Sequence, residues 1–219
     1  MKKDVFADVK GAIFDLDGTL LDSMGVWDKI SRDFLTGRGI AAPDDIGAAV
    51  KNMSFTESAA YYIQRFLLPD SREQLIAIWN EMAFREYAER IELKAGAASF
   101  VRQLRQRGIC LGVASATDRA LTEAVLKRHG ILDWFQAIVT VAYTGKGKNS
   151  PDFFRAAAQR IGVAPQECAV FEDCLHAVQG AKLAGMRVWG VYDPFSAHER
   201  QEIERFADGY IESFAELLL

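Results

Sequence analysis

From Leu93 onward, amphipathic helical stretches alternate with short apolar runs, and this rhythm constrains the fold more than any other feature of the chain. Phe100, Val101 and Leu104 mark a helix that stops at Gly108, and the run ICLGVAS follows. Leu121 and Val125 lead to Gly130 and then to QAIVTV. Residues 151–161 read as helix ahead of ECAVFED, and residues 175–183 stop at Gly185 ahead of RVWGVY. Runs this short, bounded by glycine and placed between stretches of 3.6 periodicity, are strands. Strand and helix in repeated alternation form a parallel sheet covered by helices on both faces. The expected class is α/β, with a Rossmann-like core.

The first strand stands apart from this series. Lys10 to Phe14 is apolar and Gly18 breaks it, after which the pattern stays helical into the low nineties. Trp27, Ile30 and Phe34 step by three and four before Gly37 and Gly39. Ser54 with Glu57 forms a capping-box pattern ahead of Phe55, Ala59, Tyr62, Ile63 and Phe66. Ser71 with Gln74 forms another ahead of Leu75, Ile78, Trp79 and Met82. The expected division is a core of residues 1–20 and 93–219 and a small all-helical insertion of residues 21–92. Hinges are expected near residues 21–24 and 91–96, with Gly25 and Gly96 supplying backbone freedom.

Composition narrows the setting. The chain has 219 residues, enough to bury a sizeable core and a second small unit. Half of them are hydrophobic, yet no uninterrupted apolar run approaches the roughly 20 residues of a membrane helix. The start, MKKDVFADVK, has two lysines and no apolar stretch behind them, unlike a secretory signal. Cys110, Cys168 and Cys174 are too scattered for a disulfide framework or a zinc site, so reduced thiols in the cytoplasm are expected. A net charge of −4 argues against nucleic acid as a partner but admits a small anionic substrate. A monomer or weak homodimer is expected.

Chemistry concentrates at the ends of the strands. In FDLDGTLLDS, Asp15 and Asp17 lie two apart at the carboxyl end of a buried strand, where open α/β sheets place their ligands. Two carboxylates about 4 Å apart repel by roughly 4 kcal/mol at an effective dielectric near 20. A shared hard cation such as Mg²⁺ relieves that repulsion; a solvated acidic turn is the plain alternative. Ser115 ends the apolar run in VASAT, Lys148 precedes the helix start at Ser150-Pro151, and Glu172 and Asp173 end the run in AVFEDC.

With these four junctions in order, the chain resembles the haloacid dehalogenase superfamily, in particular its phosphoglycolate phosphatase and β-phosphoglucomutase-like members with a helical cap. The resemblance implies a Mg²⁺-dependent phosphatase acting on a small phosphorylated metabolite. It implies Asp15 as nucleophile, forming an aspartyl-phosphate, and Asp17 as general acid and base. It implies metal ligation by Asp15, Asp173 and the Asp17 carbonyl, with Glu172 either a direct ligand or an acceptor for metal-bound water. Ser115, the Ala116 amide and Lys148 would bind the phosphoryl group, and the inserted helices would close over the site.

Several positions keep two readings. Ser115 is either a phosphate ligand or the first polar residue of a strand-to-helix loop. Lys146 rivals Lys148, although residues 148–152 better match the family's Lys-Pro-x-Pro-Asp, with Asn149 where proline is usual. Thr19 either orders its loop or assists at the phosphate. Cys174 is either an activated thiol or a packing one, and His129, His176 and His198 lack partner patterns. Lys51, just before a helix start, is a candidate substrate contact in the insertion. A sugar-phosphate mutase is the nearest alternative. β-Phosphoglucomutase-like sequences carry a histidine soon after the first motif and an arginine in a Val-Ser-Arg stretch, where this chain has Trp27 and Phe55. A phospho-acceptor module and a catalytically silent binding protein are the alternatives from other classes.

Overall fold

A computed structural model describes residues 6–50, 53 and 55–218. The chain forms two compact units, one of Met1–Ser23 with Ile91–Leu219 and one of Met24–Arg90.

The first unit is built on a six-stranded parallel sheet. Its strands are β1 (Gly11–Phe14), β2 (Cys110–Ser115), β3 (Ala137–Thr140), β4 (Cys168–Glu172), β5 (Arg187–Val191) and β6 (Gly209–Ile211). They lie in the order β3-β2-β1-β4-β5-β6, so the first strand is central. Phe14 pairs with Val113 on one side and Phe171 on the other, which aligns the carboxyl ends of three neighbouring strands.

Alternation along β1 sends successive side chains to opposite faces. Ile13 joins a core with Val170, Phe153, Phe154 and Ile161 beneath the helices Pro151–Ile161, Leu175–Leu183 and Arg200–Phe206. Gly11 and Gly112 leave room there for Ile161, since a Cβ on either would stand 2.9 Å from its side chain. Phe14 instead stacks on Phe171 at 4.7 Å and meets Phe100, from the helix Ala97–Gln106, edge-on at 6.3 Å. Phe214 completes that aromatic face, fully buried. The remaining helices are Arg119–Arg128 and the single turn Val141–Thr144. The edge strand β6 was not anticipated, because three residues carry too little periodicity to register.

The second unit is all-helical: α1 (Val26–Gly37), α2 (Ile46–Val50), α3 (Phe55–Phe66) and α4 (Arg72–Glu89). In chain order the helices of the first unit are then α5 (Ala97–Gln106), α6 (Arg119–Arg128), α7 (Val141–Thr144), α8 (Pro151–Ile161), α9 (Leu175–Leu183) and α10 (Arg200–Phe206). Trp79 of α4 sits between Tyr62 of α3 and Phe34 of α1, with ring centroids at 5.0 and 5.7 Å. Ser71 caps α4 reciprocally with Gln74, as its spacing suggests. Ser54, of the other expected capping box, lies outside the described residues, as does Lys51.

The two units divide at Ser23–Met24 and Arg90–Ile91, so residues 21–23 and 91–92 cluster with the sheet. Leu21 is fully buried and bridges to Leu93, and the Asp22 N–H donates to the Glu92 carbonyl at 3.0 Å. Gly25 uses none of its freedom, having φ −81°, a value open to any residue. Gly96 does, at φ +79°, and a Cβ on it would collide with the Ala215 main chain.

Candidate active site

Asp15 follows the last residue of β1, and its N–H continues the ladder by donating to the Phe171 carbonyl at 3.0 Å. Glu172 ends β4 and Asp173 follows it, so the adjacent strands deliver three carboxylates to one place; all three are buried. The Lys148 ammonium, also buried, donates to Asp15 Oδ1 and Glu172 Oε1. Lys146 is exposed, which separates the two lysines. Lys148 approaches through the loop before α8, where Ser150 N donates to the Gly147 carbonyl and the Ser150 hydroxyl caps the helix.

The other members surround this cluster. Thr19 is fully buried and its hydroxyl donates to Asp173 Oδ1 at 3.2 Å, tying the loop after β1 to the loop after β4. Ser115 ends β2 and is buried, and its Oγ accepts the Thr117 N–H at 3.0 Å. Its own hydroxyl proton is thereby left to donate elsewhere. Ala116, next to it, is exposed. The Asp17 carboxylate accepts from Ser23 Oγ and from Thr117 Oγ1, each at 2.6 Å.

Charge in the cluster is unbalanced, with three buried carboxylates against one ammonium. Desolvation, then the neighbouring Asp15 charge, pushes Glu172 up to about 7. The same causes, with Glu172 added, push Asp173 up to about 8. Burial alone would lower Lys148, but the Asp15 and Glu172 charges outweigh it and hold the ammonium well above the usual lysine range. A site this electronegative, lined by carboxylate oxygens, fits a hard divalent cation.

Among the described residues, ligand atoms of Glu172, Asp173 and Cys174 lie within 4.8 Å of one another. Cys174 does not suit a hard cation. Burial and the Glu172 charge push its thiol far up, so it stays protonated, with Sγ 3.6 Å from Glu172 Oε2. It is a packing thiol rather than an activated one. Both Glu172 oxygens are engaged, Oε1 by Lys148 and Oε2 by the Asp173 N–H at 3.2 Å.

Histidine contributes little here. His129 ends α6, with Nε2 2.9 Å from the Ile91 carbonyl. His176 is exposed, with Nε2 3.9 Å from Cys174 Sγ, and desolvation by its neighbours lowers its pKa. His198 lies in a single 3₁₀ turn.

Sequence reasoning missed Thr117 and Ser23, although both stand inside the quoted motifs, VASAT and FDLDGTLLDS. Their signal is weak, since hydroxyl residues are common at strand ends and loops. Asp193 was also missed. It is buried, paired with Lys94 at 2.8 Å, and its charge contributes to raising Asp173.

Comparison with known proteins places the chain in a family. The sequence profile of haloacid dehalogenase-like hydrolases matches residues 9–185. Hexitol phosphatase B of Escherichia coli is 27% identical over 95% of this chain and 94% of its own length. Fructose-1-phosphate phosphatase YqaB of the same organism is 32% identical over 80% of this chain and 93% of its own. A bifunctional riboflavin kinase/FMN phosphatase of Arabidopsis thaliana is 30% identical over 82% of this chain, which spans about half of that longer protein (47%). Among solved structures, CbbY from Rhodobacter sphaeroides in complex with phosphate superposes with a TM-score of 0.76 at 24% identity, covering 95% of this chain and 96% of that one. β-Phosphoglucomutase from Clostridium difficile gives 0.70 at 21% identity, covering 96% and 94%. Among the described residues no helix is long and apolar enough to cross a membrane. Sequence profile, parallel sheet and strand-end carboxylates converge: the chain belongs to the haloacid dehalogenase-like hydrolases.

Proposed function

We propose that the protein is a Mg²⁺-dependent phosphatase that hydrolyses a small phosphorylated metabolite through an aspartyl-phosphate on Asp15. The observation that carries this reading is the buried lysine shared by Asp15 and Glu172 at the ends of adjacent strands. A phosphate monoester is a dianion, and a bare carboxylate attacks it only where positive charge gathers around the phosphoryl group. Lys148 supplies part of that charge and also holds Asp15.

In the first transfer an Asp15 carboxylate oxygen attacks phosphorus and the ester P–O bond breaks. Its electron pair goes to the leaving oxygen, which takes a proton from the Asp17 carboxyl group. In the second, water attacks the aspartyl-phosphate, gives its proton to Asp17 and releases phosphate from Asp15. The Ser115 hydroxyl and Ala116 N–H donate to the transferring group, and the N-terminus of α8 adds partial positive charge beside Lys148. Asp15, Asp173 and the Asp17 carbonyl would hold the Mg²⁺, which when bound neutralises charge on the phosphate oxygens. With both its oxygens engaged, Glu172 acts from outside the direct ligand set. The Thr19 hydroxyl orders the loop through Asp173 rather than touching phosphate.

Hexitol phosphatase B and fructose-1-phosphate phosphatase among the relatives favour sugar and polyol phosphates as the first substrates to try. The test is phosphate release from a panel of phosphorylated sugars, polyols and nucleotides, with Asp15→Asn as the control. Turnover of a panel member by the parent protein, lost at least about a thousandfold in the variant, is expected. Turnover within about tenfold of the parent in a folded Asp15→Asn protein rejects the covalent mechanism.

A further inference from the structure

The two hydroxyls on Asp17 differ in how they are held. Ser23, on Oδ1, is the last residue of the sheet unit before the chain leaves for the helical one. Thr117, on Oδ2, stays within the sheet unit and is fixed on both sides. Its N–H is bonded to Ser115 Oγ at 3.0 Å, and Ser115 pairs with Thr140 in the sheet. The next residue, Asp118, is the N-cap of α6, its carbonyl accepting from the Thr122 N–H at 3.0 Å and from the Thr122 hydroxyl at 3.1 Å. The Thr117 hydroxyl therefore has its position set by β2 and α6 together.

We infer that Thr117 is a positioning residue for proton transfer, its hydroxyl holding Asp17 by Oδ2 while Oδ1, which accepts the Ser23 hydroxyl at 2.6 Å here, exchanges that partner for the leaving oxygen and carries the proton to it. A carboxyl group has two oxygens, and one that delivers a proton needs the other held to keep its aim. The Ser115 Oγ that orients Thr117 also belongs to the proposed phosphate loop, so phosphoryl group and acid are registered to one strand end. In the step concerned, Asp15 forms its bond to phosphorus, the ester oxygen leaves with the electron pair, and the Asp17 Oδ1 proton passes to it. Asp17 is then a carboxylate, ready for the proton of the attacking water.

This rests on Asp17 being the general acid, and the experiment separates the two ideas. kcat/KM is measured for 4-nitrophenyl phosphate, whose leaving group departs without a proton, and for phenyl phosphate, whose leaving group needs one. Thr117→Val should lower kcat/KM on phenyl phosphate about tenfold more than on 4-nitrophenyl phosphate, and Thr117→Ser should recover most of that loss. Asp17→Asn should show the same selectivity more strongly. If Asp17→Asn is selective while Thr117→Val loses activity equally on both esters, or loses none, Asp17 remains the acid and Thr117 does not position it. A fall in thermal midpoint accompanying an equal loss assigns Thr117 a structural role and also overturns the proposal. If Asp17→Asn itself affects both esters equally, the acid assignment fails and this inference fails with it.

Discussion

Gly180 on α9 runs so close to the main chain of Lys148 that a Cβ there would overlap the Lys148 carbonyl oxygen. The carbonyl carbons of Lys148 and Asn149 would stand 3.1 Å from the same Cβ. A glycine inside a helix forgoes about 1 kcal/mol of propensity relative to alanine. Here it lets α9 carry the lysine's backbone to a buried position. Gly180→Ala should therefore destabilise the protein despite its better propensity, by about 1–3 kcal/mol, the range for overpacking. It should also lower kcat by displacing the ammonium. Urea unfolding and steady-state kinetics on one preparation check both, and a stabilised, fully active variant would contradict the contact.

The lysine pair separates charge from position. Lys148→Ala leaves Asp15 and Glu172 buried without their ammonium, a loss in the range of about 3–5 kcal/mol for a broken buried pair. Turnover should be almost abolished, and thermal stability should fall. Lys146 is exposed, and Lys146→Ala should change both within error. The reverse ranking in the same assays would move the phosphate contact two residues upstream.

Metal dependence should itself depend on pH, with a fixed sign. Glu172 rises from 4.5 to about 7 and Asp173 from 3.8 to about 8 in the metal-free fold. Between those limits the folded protein keeps protons that the unfolded chain has released, so these groups favour folding least at high pH. Their contribution is complete below about pH 4 and is lost as pH rises through 7 to 8. Mg²⁺ must displace those protons, so it binds more weakly in acid. The rise in melting temperature on adding Mg²⁺ should be larger near pH 8.5 than near pH 5.5. Equal shifts at the two values would remove Asp173 from the metal site.

The fold was legible wherever periodicity ran long enough. Residues 151–161 and 175–183 stand as read, because α8 and α9 carry apolar faces over several turns and stop at Gly162 and near Gly185. β6 was invisible at three residues, and its pairing with β5 is a matter of tertiary contact. Trp27, grouped with Ile30 and Phe34 by spacing, is 38% exposed, since it lies in the first turn of α1. Asp15, Lys148, Glu172 and Asp173 could be named because each ends a strand or opens a helix. Thr117 and Ser23 could not, since a hydroxyl's partner depends on which loops the sheet brings together. The preference for Lys148 over Lys146 rests in the sequence on the likeness of residues 148–152 to the family's Lys-Pro-x-Pro-Asp, and in the fold on burial, since Lys148 is buried and Lys146 exposed.

Water, rather than a sugar hydroxyl, should be the acceptor of the phosphoryl group. A mutase shares the roles proposed for Asp15 and Asp17, so the difference lies in groups that hold a bisphosphate partner and delay hydrolysis. Where β-phosphoglucomutase-like sequences place a histidine and an arginine, this chain has Trp27 and Phe55. Within the helical unit these rings meet edge-on at 5.2 Å, with 38% and 39% of their surface exposed. An aromatic pair can neither accept a proton nor form the bidentate contact an arginine makes with phosphate. Incubation with Mg²⁺, β-glucose 1-phosphate and catalytic glucose 1,6-bisphosphate should give little glucose 6-phosphate, while phosphate is released from at least one metabolite of the panel. Rapid formation of glucose 6-phosphate with little free phosphate would make the protein a mutase and move the distinction to residues other than these two.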